Sequence, residues 1–210
     1  MTRLYLIRHG ETIWNSELRY QGHSDIPLSE AGREQAGRLA ARLAGEQIDH
    51  FYASDLSRAF ETAEIIAAPH GKAVQKMELL RETKFGAWEG LKFTEIQERF
   101  PDIWAKWRED PRATVLPEGE SLDDVAERVM RGISQIVELH QDEAVAVVGH
   151  GGTIRLILST ALDMDIRYIW RIRQDNTALN IIDYYGERAI ISLVNDIGHL
   201  ELGIPKVVMR

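Results

Sequence analysis

The sequence predicts a three-layer α/β/α sandwich with a largely parallel central sheet. Two observations carry this reading. Short apolar runs alternate with segments of helical period, the pattern of α/β proteins. Two of those runs end in a histidine followed by glycine, and ligands of open α/β sheets sit beyond the carboxyl ends of strands. In chain order, residues 2–7 (TRLYLI) are apolar and partly alternating, a strand. A helix opens at Ser29, a suitable N-cap, keeps Ala36, Leu39, Ala40 and Leu43 at helical spacing, and ends at Gly45. Residues 50–53 (HFYA) read as a short strand. Ser54 or Asp55 is expected to cap a helix running to about Ala68, where Pro69-His70-Gly71 stops it. A glycine-punctuated loop follows over residues 79–90, then a helical stretch after Pro101 whose Trp104 and Trp107 are expected to pack on the body. Pro111 and Pro117 bracket a second loop. Ser121 begins an amphipathic helix with Leu122, Val125, Val129, Ile133, Ile136 and Val137 on one face, and Asp123 and Asp124 suit its positive end. Residues 144–148 form a buried strand, Gly149-His150-Gly151-Gly152 a turn, and residues 153–161 a helix. Residues 178–184 and 189–194 read as strands joined through Gly186.

The 210 residues suit a single domain, 1–210. At 44% hydrophobic and 28% charged, the composition is that of a soluble globular protein. No run approaches the roughly 18 apolar residues of a membrane span. The first residues show no signal-peptide pattern, so a cytoplasmic location and no membrane partner are expected. The net charge of −8 argues against unspecific nucleic-acid binding, which draws on Lys and Arg neutralising phosphates. A small anionic substrate remains compatible, because a pocket can be locally basic on an acidic protein. The absence of cysteine removes disulfides, thiolate metal sites, iron–sulfur clusters and Cys nucleophiles, and leaves seven histidines for chemistry.

The informative junctions are Ile7-Arg8-His9-Gly10 and Val148-Gly149-His150-Gly151. One histidine alone reads as structural; two His-Gly steps at matching strand ends are harder to dismiss. Glycine lets each backbone turn sharply, and both turns lead into starts that attract anions. Arg8 precedes His9 and carries a planar fork suited to phosphate oxygens. Arg58, early in a helix, and Glu82, in a loop, would each pass alone for surface charges. If the five groups meet, His9 supplies a nucleophilic nitrogen, and Arg8, Arg58 and His150 surround a phosphoryl group. Glu82 then protonates the leaving oxygen and later deprotonates a water. No metal is needed, because fixed cations neutralise the charge.

Leu6-Ile7-Arg8-His9-Gly10-Glu11-Thr12, with Trp14-Asn15, resembles the signature of the histidine phosphatase superfamily and its phosphoglycerate-mutase-like fold. Further blocks follow in the same order: residues 20–32 (YQGHSDIPLSEAG), 54–63 (SDLSRAFETA), Leu80-Arg81-Glu82 with 85–90 (FGAWEG), Gly119-Glu120-Ser121-Leu122, and Val148-Gly149-His150-Gly151-Gly152. Carried over by position, the resemblance implies that His9 becomes the phosphohistidine. Arg8, Arg58 and His150 form the phosphate pocket, and Glu82 is the proton donor. Asn15, Gln21, Gly22 and Gly151 are implied as substrate contacts. It implies no cofactor and no metal, a small phosphorylated metabolite as partner, and an assembly in which a homodimer is allowed.

The same core serves phosphatases and mutases. The segment between Glu82 and Gly119 is short and lacks paired arginines, carrying only Arg99, Arg108 and Arg112 singly. Thr83 and Phe85 stand where mutases usually place Arg and Tyr. Both points favour a phosphatase, resembling the small bacterial α-ribazole 5′-phosphate, broad-specificity and metal-independent phosphoserine phosphatases. The alternatives are a phosphoserine phosphatase proper and a cofactor-dependent phosphoglycerate mutase. Phe85 counts against phosphoserine; with Trp88 it either packs on a ribose or base or belongs to the core. His199 either closes over the substrate or is structural, and His23, His50, His70 and His140 are assigned to surface or structure. A dinucleotide fingerprint at Gly149-His150-Gly151 fails, because Ile154 takes the third glycine position. Asp163-Met164-Asp165 follows a helix rather than a strand, so an aspartyl nucleophile is rejected.

Overall fold

The computed structural model describes residues 1–186 and 188–200. Six strands form one sheet: β1 (Thr2–Arg8), β2 (His50–Ala53), β3 (Val74–Lys76), β4 (Ala144–Gly149), β5 (Leu179–Tyr185) and β6 (Arg188–Asp196). Their order is β3-β2-β4-β1-β5-β6. The first four in that order run parallel, and β5 and β6 add an antiparallel hairpin at one edge. The helices are α1 (Ile13–Ser16), α2 (Glu30–Leu43), α3 (Ser57–Ala67), α4 (Phe93–Arg99), α5 (Pro101–Glu109), α6 (Leu122–Leu139) and α7 (Gly151–Ala161).

Residues of the inner strands alternate between two buried faces, as a sheet covered on both sides requires. On β1, Tyr5 and Ile7 meet Leu39, Leu43, Ala59 and Ile66 of α2 and α3. Leu4 and Leu6 face the opposite core with Val125, Val129 and Ile133 of α6 and Leu156 of α7. Trp88 and Trp107 extend that second core toward α4 and α5, their ring centroids 5.7 Å apart.

Ser29 caps α2 by accepting from the Gly32 N–H (3.0 Å), and Ser121 caps α6 through the Asp124 N–H (3.1 Å). The N-cap of α3 differs from the expectation. Leu56 occupies it and makes no side-chain cap bond. Asp55 is instead committed to a two-pronged pair with Arg81, and the Ser54 hydroxyl accepts from the Leu56 N–H. The Ser57 N–H is satisfied by Asp25 (2.7 Å), a carboxylate from a distant loop. Helix α7 begins at Gly151, two residues before the expected start, because His150 already serves as its N-cap. Val137 sits at the margin of the α6 stripe and is only partly buried. The sequence reading omits α1, α4 and β3: α1 is one turn, and β3 is a three-residue edge strand without a buried face.

Leu6 is fully buried at the sheet centre, so Leu6→Ala is expected to cost about 2–5 kcal/mol. The solvent-facing Ile190→Ala should stay within about 0.5 kcal/mol. Urea unfolding monitored by circular dichroism checks both.

Candidate active site

The β1–β4 register pairs Arg8 with Gly149, so the next residue of each strand, His9 and His150, leaves the sheet beside the other. The His9 N–H donates to the Gly149 carbonyl (3.0 Å), and the two rings lie edge to face with centroids 5.2 Å apart. His9 Nδ1 is 2.7 Å from the Gly10 carbonyl. A carbonyl only accepts, so Nδ1 carries the proton and Nε2 keeps its lone pair. Burial, reinforced by Arg58 and Arg8, holds His9 well below the ordinary imidazole range. The ring is therefore neutral at pH 7. His150 is driven the same way by burial and then by Arg58, and neither of its nitrogens has a hydrogen-bond partner among the described residues.

Arg58, in the first turn of α3, is completely buried. Its Nη1 and Nη2 donate to the Ser24 and Gly22 carbonyls (2.9 and 2.8 Å). Arg8 donates from Nη1 to the Gln174 carbonyl (2.7 Å). Burial pulls each guanidinium down to about 10, so both stay charged at neutral pH. The Nε of each is buried without a partner among the described residues. Buried donors are ordinarily paired. Two unpaired guanidinium N–H groups beside two neutral imidazoles make a cradle for an anion.

Glu82 enters from the loop after β3. Its two oxygens accept the Thr83 and Gly152 N–H groups (2.9 Å each), which fixes the carboxylate plane against the start of α7. Glycine at residue 152 leaves the carboxylate this position, since a Cβ there would push the end of the Glu82 side chain aside. The Glu82 carbonyl in turn accepts from Arg128 Nη2 (2.7 Å) and lies 2.9 Å from His23 Nε2. Arg128 also donates to the Leu79 and Arg81 carbonyls and is paired with Glu120. Glu89 accepts the N–H groups of His23, Ser24 and Phe85, tying the Gly22 loop to the same scaffold.

A cavity of about 260 Å³ opens over these groups. Its lining includes Arg8, His9, Arg58 and Glu82, together with Asn15, Gln21, Gly22 and Gly151. His150 lies directly behind, against His9. Asn15 Oδ1 accepts from the Thr12 N–H, and the Thr12 hydroxyl donates to Gln21 (3.0 Å), so α1 and the Gln21 turn are fastened together. Phe85 lines the cavity, whereas Trp88 is wholly within the core. His199 packs behind the site against the Thr177 hydroxyl (2.9 Å) and is outside the lining. The sequence reading missed Arg155, Tyr20 and Trp170, all of which line the cavity. Arg155 stands one helical turn beyond Gly151, a spacing that could have revealed it. Trp170 sits in a 3-10 turn, Ile166–Arg171, with no periodic signal. Arg128 and Glu120 act through backbone carbonyls and N–H groups, which no side-chain pattern announces.

The histidine phosphatase superfamily (branch 1) profile matches residues 4–197. Phosphoglycerate mutase-like protein 4 of Arabidopsis thaliana is 40% identical over 202 residues, spanning 94% of this chain and 86% of that protein. Phosphoserine phosphatase 1 of Hydrogenobacter thermophilus is 34% identical over 200 residues, 95% of each. The solved structure of Bacillus stearothermophilus YhfR superposes with a TM-score of 0.91 at 34% identity, covering 96% of this chain and 100% of that one.

Histidines held neutral in the fold but free to protonate when unfolded make stability fall as pH drops below about 6.5. Each contributes a slope of about 1.4 kcal/mol per pH unit while the unfolded form is charged and the folded form is not. Urea titrations between pH 7 and pH 5 should show a shallower slope in His150→Asn than in the parent by about that amount. Equal slopes would mean that His150 titrates normally in the fold.

Proposed function

Because this chain belongs to the histidine phosphatase superfamily and is a phosphatase enzyme, we propose that it hydrolyses small phosphomonoesters through a phosphohistidine on His9, without a metal. One observation carries the reading: His9 Nε2 is freed by the Nδ1 contact to Gly10, beside the unpaired Nε groups of Arg8 and Arg58. In the first step Nε2 forms a bond to phosphorus as the ester P–O bond breaks. Glu82, in its acid form, gives its proton to the leaving oxygen. In the second, the Glu82 carboxylate takes a proton from water, the water oxygen attacks phosphorus, and the N–P bond breaks to release phosphate. Arg8, Arg58 and His150 stabilise the charge on the equatorial oxygens in both steps. Two guanidiniums facing a single carboxylate are a poor donor set for Mg²⁺, which takes oxygen ligands, and support an ion-free mechanism.

Water rather than a second substrate oxygen is the acceptor in this reading. Most of the segment that would grip a mutase substrate folds into α4 and α5, and no residue of those two helices lines the cavity. The aromatic wall of Tyr20, Phe85 and Trp170 suits α-ribazole 5′-phosphate or a broad range of phosphomonoesters. A second reading, a carboxylate-bearing ester such as phosphoserine, is favoured by Arg155. That side chain lines the cavity and is anchored by Nε to the Ile172 carbonyl (2.7 Å), which leaves its terminal nitrogens available. The named activity of the Hydrogenobacter relative supports the same reading.

Hydrolysis of p-nitrophenyl phosphate should persist in EDTA; loss in chelator and recovery with Mg²⁺ would contradict the ion-free mechanism. His9→Ala should abolish both turnover and the acid-labile phosphoenzyme. Glu82→Gln should slow esters with poor leaving groups far more than aryl esters, and equal slowing would remove Glu82 from the acid role. In a kcat/KM panel, Arg155→Ala should weaken phosphoserine by about 10- to 100-fold, the value of a charge-assisted hydrogen bond, and spare p-nitrophenyl phosphate. Equal losses on both substrates would dismiss the carboxylate contact.

A further inference from the structure

At the amino ends of β2 and β4, away from the cavity, three side chains converge. His50 opens β2, His140 follows α6, and Glu143 precedes β4. Glu143 Oε2 lies 2.8 Å from His140 Nδ1 and 3.1 Å from His50 Nε2. One ligand atom from each residue falls within 4.8 Å of the other two. The two imidazoles are nearly stacked, with centroids 3.9 Å apart and planes 31° from parallel. From this convergence we propose that His50, His140 and Glu143 form a binding site for one divalent transition cation of the zinc class, with water completing the tetrahedron.

The donor set selects the cation. Two imidazole nitrogens and one carboxylate oxygen suit Zn²⁺, Co²⁺ or Ni²⁺, whereas Mg²⁺ and Ca²⁺ require oxygen shells. Zinc bond lengths of about 2.0–2.2 Å put neighbouring tetrahedral donors roughly 3.3 Å apart. The Glu143 contacts therefore open by only a few tenths of an ångström. Both His50 and Glu143 are partly exposed and can make that adjustment.

The surroundings already supply what a ligating imidazole needs. A metal-bound histidine usually hands its other ring N–H to a fixed acceptor. His140 Nε2 lies 2.8 Å from the buried Tyr52 hydroxyl. That hydroxyl can donate or accept. The ring can hold its proton on Nε2 toward the Tyr52 oxygen, which bares Nδ1 for a metal. The backbone is equally fixed. His50 is in register with Val145 on β4, and the His140 carbonyl accepts from the Thr2 hydroxyl (2.9 Å). Asp49, the neighbouring carboxylate, is occupied by the Ala144 N–H (3.0 Å) and stays out of the set. The cation would tie the start of β2, the end of α6 and the start of β4 together, and its role is structural.

The competing arrangement is protons alone: Tyr52 donates to His140, and both histidines donate to Glu143. Titrating the full chain, stripped of metal, with Co²⁺ separates the two. One saturating equivalent with the visible bands of tetrahedral Co²⁺, displaced by Zn²⁺, is expected. His50→Ala and Glu143→Gln should each weaken binding at least tenfold while hydrolysing p-nitrophenyl phosphate at the parental rate, which shows that they fold. Zn²⁺ at a hundredfold over the parental Kd should raise the parental Tm by about 5–10 °C and that of His50→Ala by half as much or less. Absence of saturable Co²⁺ binding would leave only the proton network and overturn the proposal. Equal binding by His50→Ala would place the cation elsewhere and overturn it as well.

Discussion

The parallel pairing of β1 with β4 is the constraint on which the site depends. Once Arg8 is in register with Gly149, the two strands must deliver His9 and His150 to one point. No loop closure is needed to bring them together, because the sheet does it. The glycine after His9 allows close approach, since a Cβ there would collide with the Gly32 carbonyl, and α7 begins immediately beyond His150. The geometry is thus as rigid as the most buried part of the molecule, which suits a reaction whose catalysis is mainly positioning and fixed charge.

That rigidity carries an electrostatic cost. Two guanidiniums and two imidazoles are withdrawn from water, Arg8 Nε, Arg58 Nε and both His150 nitrogens without a partner among the described residues, and burial lowers all four toward their neutral forms. The arginines remain cations and the histidines become neutral, the division that the proposed nucleophile inside a cationic pocket requires. Of the counter-charges, Glu82 faces the cavity, and Glu89 and Glu120 lie outside its lining. Glu82 is held by backbone N–H groups, Glu89 secures the loop that anchors Arg58, and Glu120 with Arg128 fixes the loop that carries Glu82. The site keeps its positive field because these carboxylates spend their lone pairs on the backbone and on Arg128 rather than on Arg8 and Arg58.

Much of this was legible in the sequence, for specific reasons. The apolar strands and the α6 stripe are long and periodic, and Ser29 and Ser121 cap within their own segments. Arg8, His9 and His150 stand out because strand ends and Gly steps mark them, whereas Arg58 in a helix and Glu82 in a loop are marked by the family resemblance. What stayed hidden is what depends on distant chain. Asp25 caps α3 from a loop, so local reading chose Ser54 or Asp55 and was wrong. Arg128 acts on carbonyls of residues 79–82, and Trp170 reaches the cavity from a 3-10 turn. The antiparallel edge follows from the β5–β6 hairpin, but its placement against β1 was set by packing alone.

The stereochemical course at phosphorus addresses the central claim most directly. An ester whose phosphoryl oxygens are made chiral by isotopic labelling would be hydrolysed and the product configuration read. Transfer to His9 and then to water inverts phosphorus twice, so net retention is the result that the proposal predicts. Net inversion would mean that water displaces the leaving group in a single step, and the imidazole would have no place as nucleophile.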